Sequence, residues 1–238
     1  MTKQQHKNKP ADLLTEAGEG AVTAGGPGER QWLEHDVSGE MLTQMRLRES
    51  GIPPRYMNKT LENFTAGNKD LRAVKAYAEN YIKTFIAGES QKGLFIYGCA
   101  GCGKSHIASA ILKEIIAAGH SGFWCNMPEL MTQIRDVISR NAGPEQLEYL
   151  QQRCNNAQLL VFDDLGAEAP RGVAMERLYA IVNRRYELSK PIIVTSNLQL
   201  DELADQYREL GRIVSRLGEM CTRFTPFPNV DYRLKHFK

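Results

Sequence analysis

The feature that most constrains this chain is one octapeptide, Gly98-Cys99-Ala100-Gly101-Cys102-Gly103-Lys104-Ser105, which fits GxxxxGK[ST] in full. The apolar run Leu94 to Tyr97 precedes it and the apolar stretch from His106 to Ala118 follows, so it reads as the turn between a buried strand and a helix. In that setting the glycines let the backbone curl until its N–H groups and the helix N-terminus face phosphates. Gly98, Gly101, Cys102, Gly103, Lys104, Ser105 and His106 are therefore the expected nucleotide-binding residues. Lys104 carries a point charge to the β- and γ-phosphates, and Ser105 a hydroxyl to Mg²⁺, which makes ATP and Mg²⁺ the expected cofactors. Cys99 and Cys102 also spell CxxC. A tetrahedral zinc site needs four ligands, however, and no second Cys or His pair lies at ligand spacing, so both are read as phosphate-loop residues.

A phosphate loop needs a parallel sheet behind it, and the rest of the chain supplies one. Short buried strands are expected at Leu94 to Tyr97, Gly122 to Asn126, Gln158 to Asp163, Ile192 to Ser196 and Thr222 to Phe227. Helices are expected between them at about 104–118, 128–140, 145–153, 173–188 and 211–219. Before the first strand, Leu71, Val74, Tyr77, Ala78, Tyr81, Ile82 and Phe85 recur at three and four and mark an amphipathic helix over 70–87. Strands alternating with helices give a parallel sheet covered on both faces.

The third strand ends in two carboxylates, LLVFDD, where an ATPase needs one group to hold Mg²⁺ and one to activate water. Asp163 is the expected metal residue and Asp164 the water-activating one; Glu168, four residues on, is the second candidate for that role. The strand IIVTSN ends in Asn197, and ligands collect at strand carboxyl ends, so Asn197 is placed to orient the attacking water or the γ-phosphate.

Composition narrows the setting. Thirty Lys and Arg stand against twenty-eight Asp and Glu, a net charge of +2, so nucleic-acid or membrane binding cannot be argued from charge as a whole. No apolar run reaches the roughly 18 residues of a membrane span, and MTKQQHKNKP lacks the apolar core of a signal peptide, so a cytoplasmic location is expected. Residues 1–50 are polar and include the Gly-rich stretch GEGAVTAGGPGE, too little apolar surface for a core. They are read as a flexible arm with one short amphipathic helix over about 38–49, and 51–238 as the ATPase domain. The segment SGIPPRYMNKTLENF, with two prolines, is read as an ordered connecting loop.

The phosphate loop, LLVFDDLGAE, IIVTSNL, and SRL followed seventeen residues later by the Arg of DYR together resemble the AAA+ ATPases of the bacterial DnaC/DnaI helicase-loader group, with the IstB transposition helpers close by. The resemblance runs from about Ser50 to Arg233 and includes SGIPPRYMNKTLENF, which is similar to an SGI…(F)EN(F/Y) lead-in. It implies an α/β P-loop fold with five parallel strands ordered 5-1-4-3-2 and a short N-terminal arm. It makes Asn197 sensor 1, Arg216 an arginine finger for a neighbouring subunit with Arg212 as runner-up, and Arg233 sensor 2. It also implies ATP hydrolysis, self-association through the ATP site, a DnaB-type replicative helicase as partner of the N-terminal region, and single-stranded DNA met by Arg135 and Arg140 of a helical insertion. The expected role is helicase loading in the primosome at replication initiation. An IstB-like helper of a transposase is the nearest alternative; a small-molecule kinase and a nucleotide-gated adaptor with negligible turnover are the others.

Overall fold

The computed structural model describes residues 39–89, 92–139, 145–167, 172–206, 211–224 and 231–232. The chain forms one compact unit over Glu40–Lys238; the other unit, Met1–Gly39, lies outside the described residues but for its last residue. The elements run α1 (39–49), α2 (Pro54–Met57), α3 (Lys69–Ile86), β1 (Gly93–Tyr97), α4 (Lys104–Ala117), β2 (Gly122–Asn126), α5 (Met127–Ser139), α6 (Glu145–Asn156), β3 (Leu159–Leu165), α7 (Val173–Glu187), β4 (Ile192–Ser196), α8 (Leu200–Gln206), α9 (Gly211–Met220) and β5 (Cys221–Phe224). No described helix is long and apolar enough to cross a membrane.

The five strands pair in parallel in the order 2-3-4-1-5, the expected order written from the other edge. Because successive strand side chains point to opposite faces, the sheet feeds two cores. Leu94, Ile96, Leu159, Val161 and Ile193 pack with α3 and α4, while Phe95, Leu160, Phe162, Ile192 and Val194 pack with α5 to α9. This double burial is why β1, β3 and β4 read as unbroken apolar runs. Full burial of a ring such as Phe95 or Phe162 is worth about 2–3 kcal/mol over leaving it exposed.

The chain leaves β1 for the far edge at β2 and steps back through β3 and β4 until it lies beside β1 again. The strand order therefore reverses between β4 and β1, and a crevice opens there at the carboxyl ends. The lead-in to the domain is fixed at the opposite edge. Ser50 is buried, its carbonyl accepts the Trp124 N–H at 2.7 Å, and its hydroxyl donates to the Leu47 carbonyl and accepts from the Ile52 N–H. Gly51 follows at φ +75°, with its α-carbon so close to β2 that an added Cβ would stand 2.7 Å from the Trp124 carbonyl oxygen. The SGI sequence is thus an edge clamp on β2. The expected last strand stops at Phe224, and residues 225–227 lie outside the described residues.

Candidate functional site

The phosphate loop joins the end of β1 to α4 and is pinned to the neighbouring strand, since the Gly98 N–H donates to the Ser196 carbonyl at 3.3 Å. Gly101 and Gly103 take φ +69° and +108°, values that L side chains avoid. Lys104 is buried, and its ammonium donates to the Gly98 carbonyl at 2.9 Å, the Cys99 carbonyl at 2.7 Å and Asn197 Oδ1 at 2.9 Å. All three of its protons are thereby matched to acceptors. The same Asn197 donates through Nδ2 to Asp164 Oδ1 at 3.2 Å, so one amide links the phosphate-loop cation to the second carboxylate.

Asp163 is fully buried at the end of β3. Burial pushes its carboxyl above the ordinary value, against hydrogen bonds from Ser105 and Thr195 that favour the ionised form. The Ser105 hydroxyl and the Asp163 carboxylate are thus adjacent hard-oxygen donors beside the phosphate loop. That donor set suits Mg²⁺, which is held through one or two carboxylates together with substrate phosphates. Asp164 sits at φ +64°, a left-handed position that Asp tolerates better than most residues, and its half-buried carboxylate turns toward Asn197.

A cavity of about 590 Å³ opens over the loop, walled on one side by Gly101 to His106 and on the other by Tyr56, Phe64, Thr65 and Tyr232. His106 ties the two walls together. Its Nε2 lies 2.8 Å from the Thr60 carbonyl oxygen, and the edge of its ring meets Phe64 with centroids 5.2 Å apart. A carbonyl can only accept, so Nε2 carries the hydrogen, and burial lowers the His106 pKa against that hydrogen bond, which favours the charged form. The SGIPPRYMNKTLENF segment is therefore not merely a connection; it forms the far wall of the nucleotide cavity. Its interleaved aromatics were the available signal. Cys102 belongs to the near wall, and burial pushes its thiol up to about 11.

The remaining expected residues lie elsewhere. Arg216 on α9 donates through Nε to Asn183 Oδ1 at 2.9 Å and through Nη2 to the Tyr179 hydroxyl at 3.1 Å, with Tyr179 and Tyr186 flanking the guanidinium. These partners are on α7, not on the phosphate loop of its own chain. Arg212 is exposed on the same helix, and its carbonyl accepts from Arg216 Nη1. Asp231 and Tyr232 rest on the loop, the Tyr232 N–H donating to the Gly101 carbonyl at 3.1 Å. The next residue, Arg233, lies outside the described residues, as do Glu168 and Arg140. Arg135 is exposed on α5 and donates to Thr132 Oγ1 at 3.1 Å. Asn126, at the carboxyl end of β2, caps the N-terminus of α5 by accepting the Glu129 N–H, so α5 starts at the same carboxyl end of the parallel strands as the phosphate loop.

Comparison with known proteins gives this arrangement a family. The model of the IstB-like ATP binding proteins matches residues 34–226. The chain is 31% identical over 200 residues to the replicative helicase loader DnaC of Buchnera aphidicola subsp. Baizongia pistaciae, covering 82% of this chain and 77% of the relative. It is 27% identical over 179 residues to the replicative helicase loader DnaC of Escherichia coli K12, covering 75% of this chain and 71% of the relative. A crystal structure of the DnaC helicase loader superposes with a TM-score of 0.60 at 26% identity, over 73% of this chain and 99% of that one.

Proposed function

The chain belongs to the family of IstB-like ATP binding proteins, AAA+ P-loop ATPases, and from that premise we propose that it loads a DnaB-type replicative helicase onto single-stranded DNA at replication initiation, hydrolysing ATP as it does so. The observation that carries the catalytic half is the hydrogen-bonded series Lys104–Asn197–Asp164, which joins the start of α4 to the carboxyl ends of β4 and β3. Similarity to DnaC loaders over three quarters or more of the chain supports the helicase half.

In this reading ATP enters the cavity between the Tyr56–Thr65 wall and the phosphate loop. Its phosphate oxygens replace the two loop carbonyls and Asn197 as acceptors for the Lys104 ammonium, since ionised oxygens accept more strongly than neutral ones. Ser105 and Asp163 are the residues that would hold Mg²⁺, which when bound neutralises charge developing on the phosphates. Asn197, released from Lys104, keeps its hold on Asp164 and orients the attacking water. Asp164 accepts that water's proton, with Glu168 as the second candidate base. Arg216, with Arg212 as runner-up, leaves α7 to reach a neighbouring subunit's γ-phosphate, so the active assembly is a self-association through the ATP site. Arg233, which follows Tyr232 in sequence, serves the nucleotide of its own subunit. Arg135 and Arg140 meet phosphates of single-stranded DNA, and the N-terminal region with α1 engages the helicase.

The test is co-purification with a DnaB-type hexamer in ATP and in ADP, with single-stranded DNA added to each. Retention in ATP and release on hydrolysis is the expected result. The family model favours one second reading, an ATPase helper of a transposase. Retention by a transposase and none by the helicase would establish that reading instead.

A further inference from the structure

The acidic pair sits on an irregularity of the sheet. Phe162 pairs with Val194 and Leu165 with Ser196, so Asp163 and Asp164 on β3 stand opposite Thr195 alone on β4. Two residues facing one is a bulge, and a bulge interrupts the ladder and re-aims side chains. In a regular strand Asp163 and Asp164 would point to opposite faces of the sheet. Here the left-handed turn at Asp164 brings its carboxylate to Asn197 while Asp163 stays beside Ser105.

Thr195 holds that bulge by its side chain. Its Oγ1 accepts the Asp164 N–H at 2.9 Å and donates its own proton to Asp163 Oδ1 at 2.7 Å. Thr195 is itself buried, so no bulk water stands ready to replace either bond. One hydroxyl thus takes the place of the interrupted ladder at Asp164 and fixes a carboxylate oxygen of Asp163. The strand on its other side is regular, with Thr195 opposite Ile96 of β1, so the hydroxyl is set on a rigid base.

We propose that Thr195 is the positioning residue of the acidic pair, its hydroxyl fixing Asp163 and Asp164 at once in the separation that metal binding and water activation require. This rests on the metal and water roles assigned to the two carboxylates. Groups that orient metal ligands change metal affinity or activity by about 10- to 100-fold when removed. A residue that only fills space at the end of β4 would have no such effect.

The test compares wild type, Thr195→Val, Thr195→Ser, Thr195→Cys and Asp163→Asn. Affinity for a fluorescent ATP analogue is measured with Mg²⁺ and with a chelator, alongside steady-state turnover and melting temperature. In Thr195→Val the Mg²⁺-free affinity should stay within about twofold of wild type, because the phosphate loop is untouched, while the gain from Mg²⁺ should shrink by about 10- to 100-fold and turnover with it. Thr195→Ser, which keeps the hydroxyl and drops the methyl, should retain both. Should Thr195→Val fail to fold, Ser against Cys carries the comparison, since the two differ only in oxygen for sulfur, and Cys should lose the Mg²⁺ gain. A full Mg²⁺ gain and turnover in Val and Cys overturns the proposal. So does a Ser variant as impaired as Val, which would put the role in the methyl group. If Asp163→Asn loses the gain while Val keeps it, Thr195 alone is wrongly assigned; if Asp163→Asn keeps it, the metal role of Asp163 falls and this inference falls with it.

Discussion

Asn197 makes two bonds with opposite consequences, and two substitutions separate them. The amide oxygen accepts one of three hydrogen bonds from the buried Lys104 ammonium, and the amide nitrogen donates to Asp164. Asn197→Ala deletes both. The free protein loses one charge-assisted bond, nominally about 1.5–3 kcal/mol, reduced here because Asn197 is exposed and water takes its place. ATP then has one fewer bond to displace, and its affinity should tighten by up to about tenfold, the equivalent of 1.4 kcal/mol. Turnover should fall by about a hundredfold or more, the scale of losing one oriented polar group in an active site. Asn197→Asp keeps an acceptor for Lys104 and makes it ionic. It also places a second carboxylate about 3.2 Å from Asp164, a repulsion of about 1 kcal/mol at the dielectric of water and more where water is excluded. It adds negative charge where the γ-phosphate arrives. ATP affinity in Asn197→Asp should therefore weaken by about tenfold while turnover also falls. The assay is titration with a fluorescent ATP analogue, paired with phosphate release at saturating ATP. Opposite shifts in affinity from Ala and Asp are the signature of the reasoning. Equal shifts, or normal turnover in either variant, would refute it.

Asp164→Asn should keep ATP binding and stop hydrolysis in a phosphate-release assay, with Glu168→Gln milder; the reverse order would make Glu168 the base. Because burial raises the Asp163 carboxyl above 3.8, the folded chain binds that proton more tightly than the unfolded one; the resulting stability is present below 3.8 and is lost as pH rises through the raised folded value. At neutral pH the buried charge is thus a net cost, so Asp163→Asn should melt higher than wild type in chelator, with the gap narrowing toward acid pH. A chain beginning at Glu40 should keep the melting temperature of the full chain, whereas one beginning at Ile52 removes Ser50 and strands the Trp124 N–H, about 1–3 kcal/mol, and should melt several degrees lower by calorimetry. Mixing Arg216→Ala with Lys104→Ala chains should restore part of the ATPase activity if the finger acts in trans, and no rescue in demonstrated co-assemblies would return Arg216 to its α7 clasp.

What could be read from the sequence follows a physical division. The interiors of β1 to β4 are buried, so their residue types carry the assignment locally, and these four strands and the long helices fall within a few residues of expectation. The expected end of the third strand at Asp163 falls short because the bulge carries β3 on to Leu165. The four-residue α2 and seven-residue α8 are too short for periodicity to register, although Leu200 and Leu203 at a spacing of three, with Glu202 accepting the Gln199 N–H, mark α8 in retrospect. Strand order came from the resemblance, because no property of an isolated run says which neighbour it will pair with.

The site divides along the same line. Gly101, Gly103, Lys104, Ser105 and Asp163 are legible because each sits in a short local pattern whose chemistry needs that residue there. Thr195 carries no such local signal, because a threonine in a strand is ordinarily explained by β-propensity alone. Its meaning depends on Asp163 and Asp164, thirty-two and thirty-one residues earlier, slipping one register step against it. The contact between Asn197 and Lys104 spans 93 residues. The same strand end holds both groups two residues apart, which places Oγ1 of Thr195 on the acidic pair and the Asn197 amide across to the phosphate loop. A shift of β4 by one residue would exchange the faces of both side chains and undo every one of these bonds together. The register of β4 between β3 and β1 is therefore the structural condition on which the carboxylates and the phosphate loop act as one site.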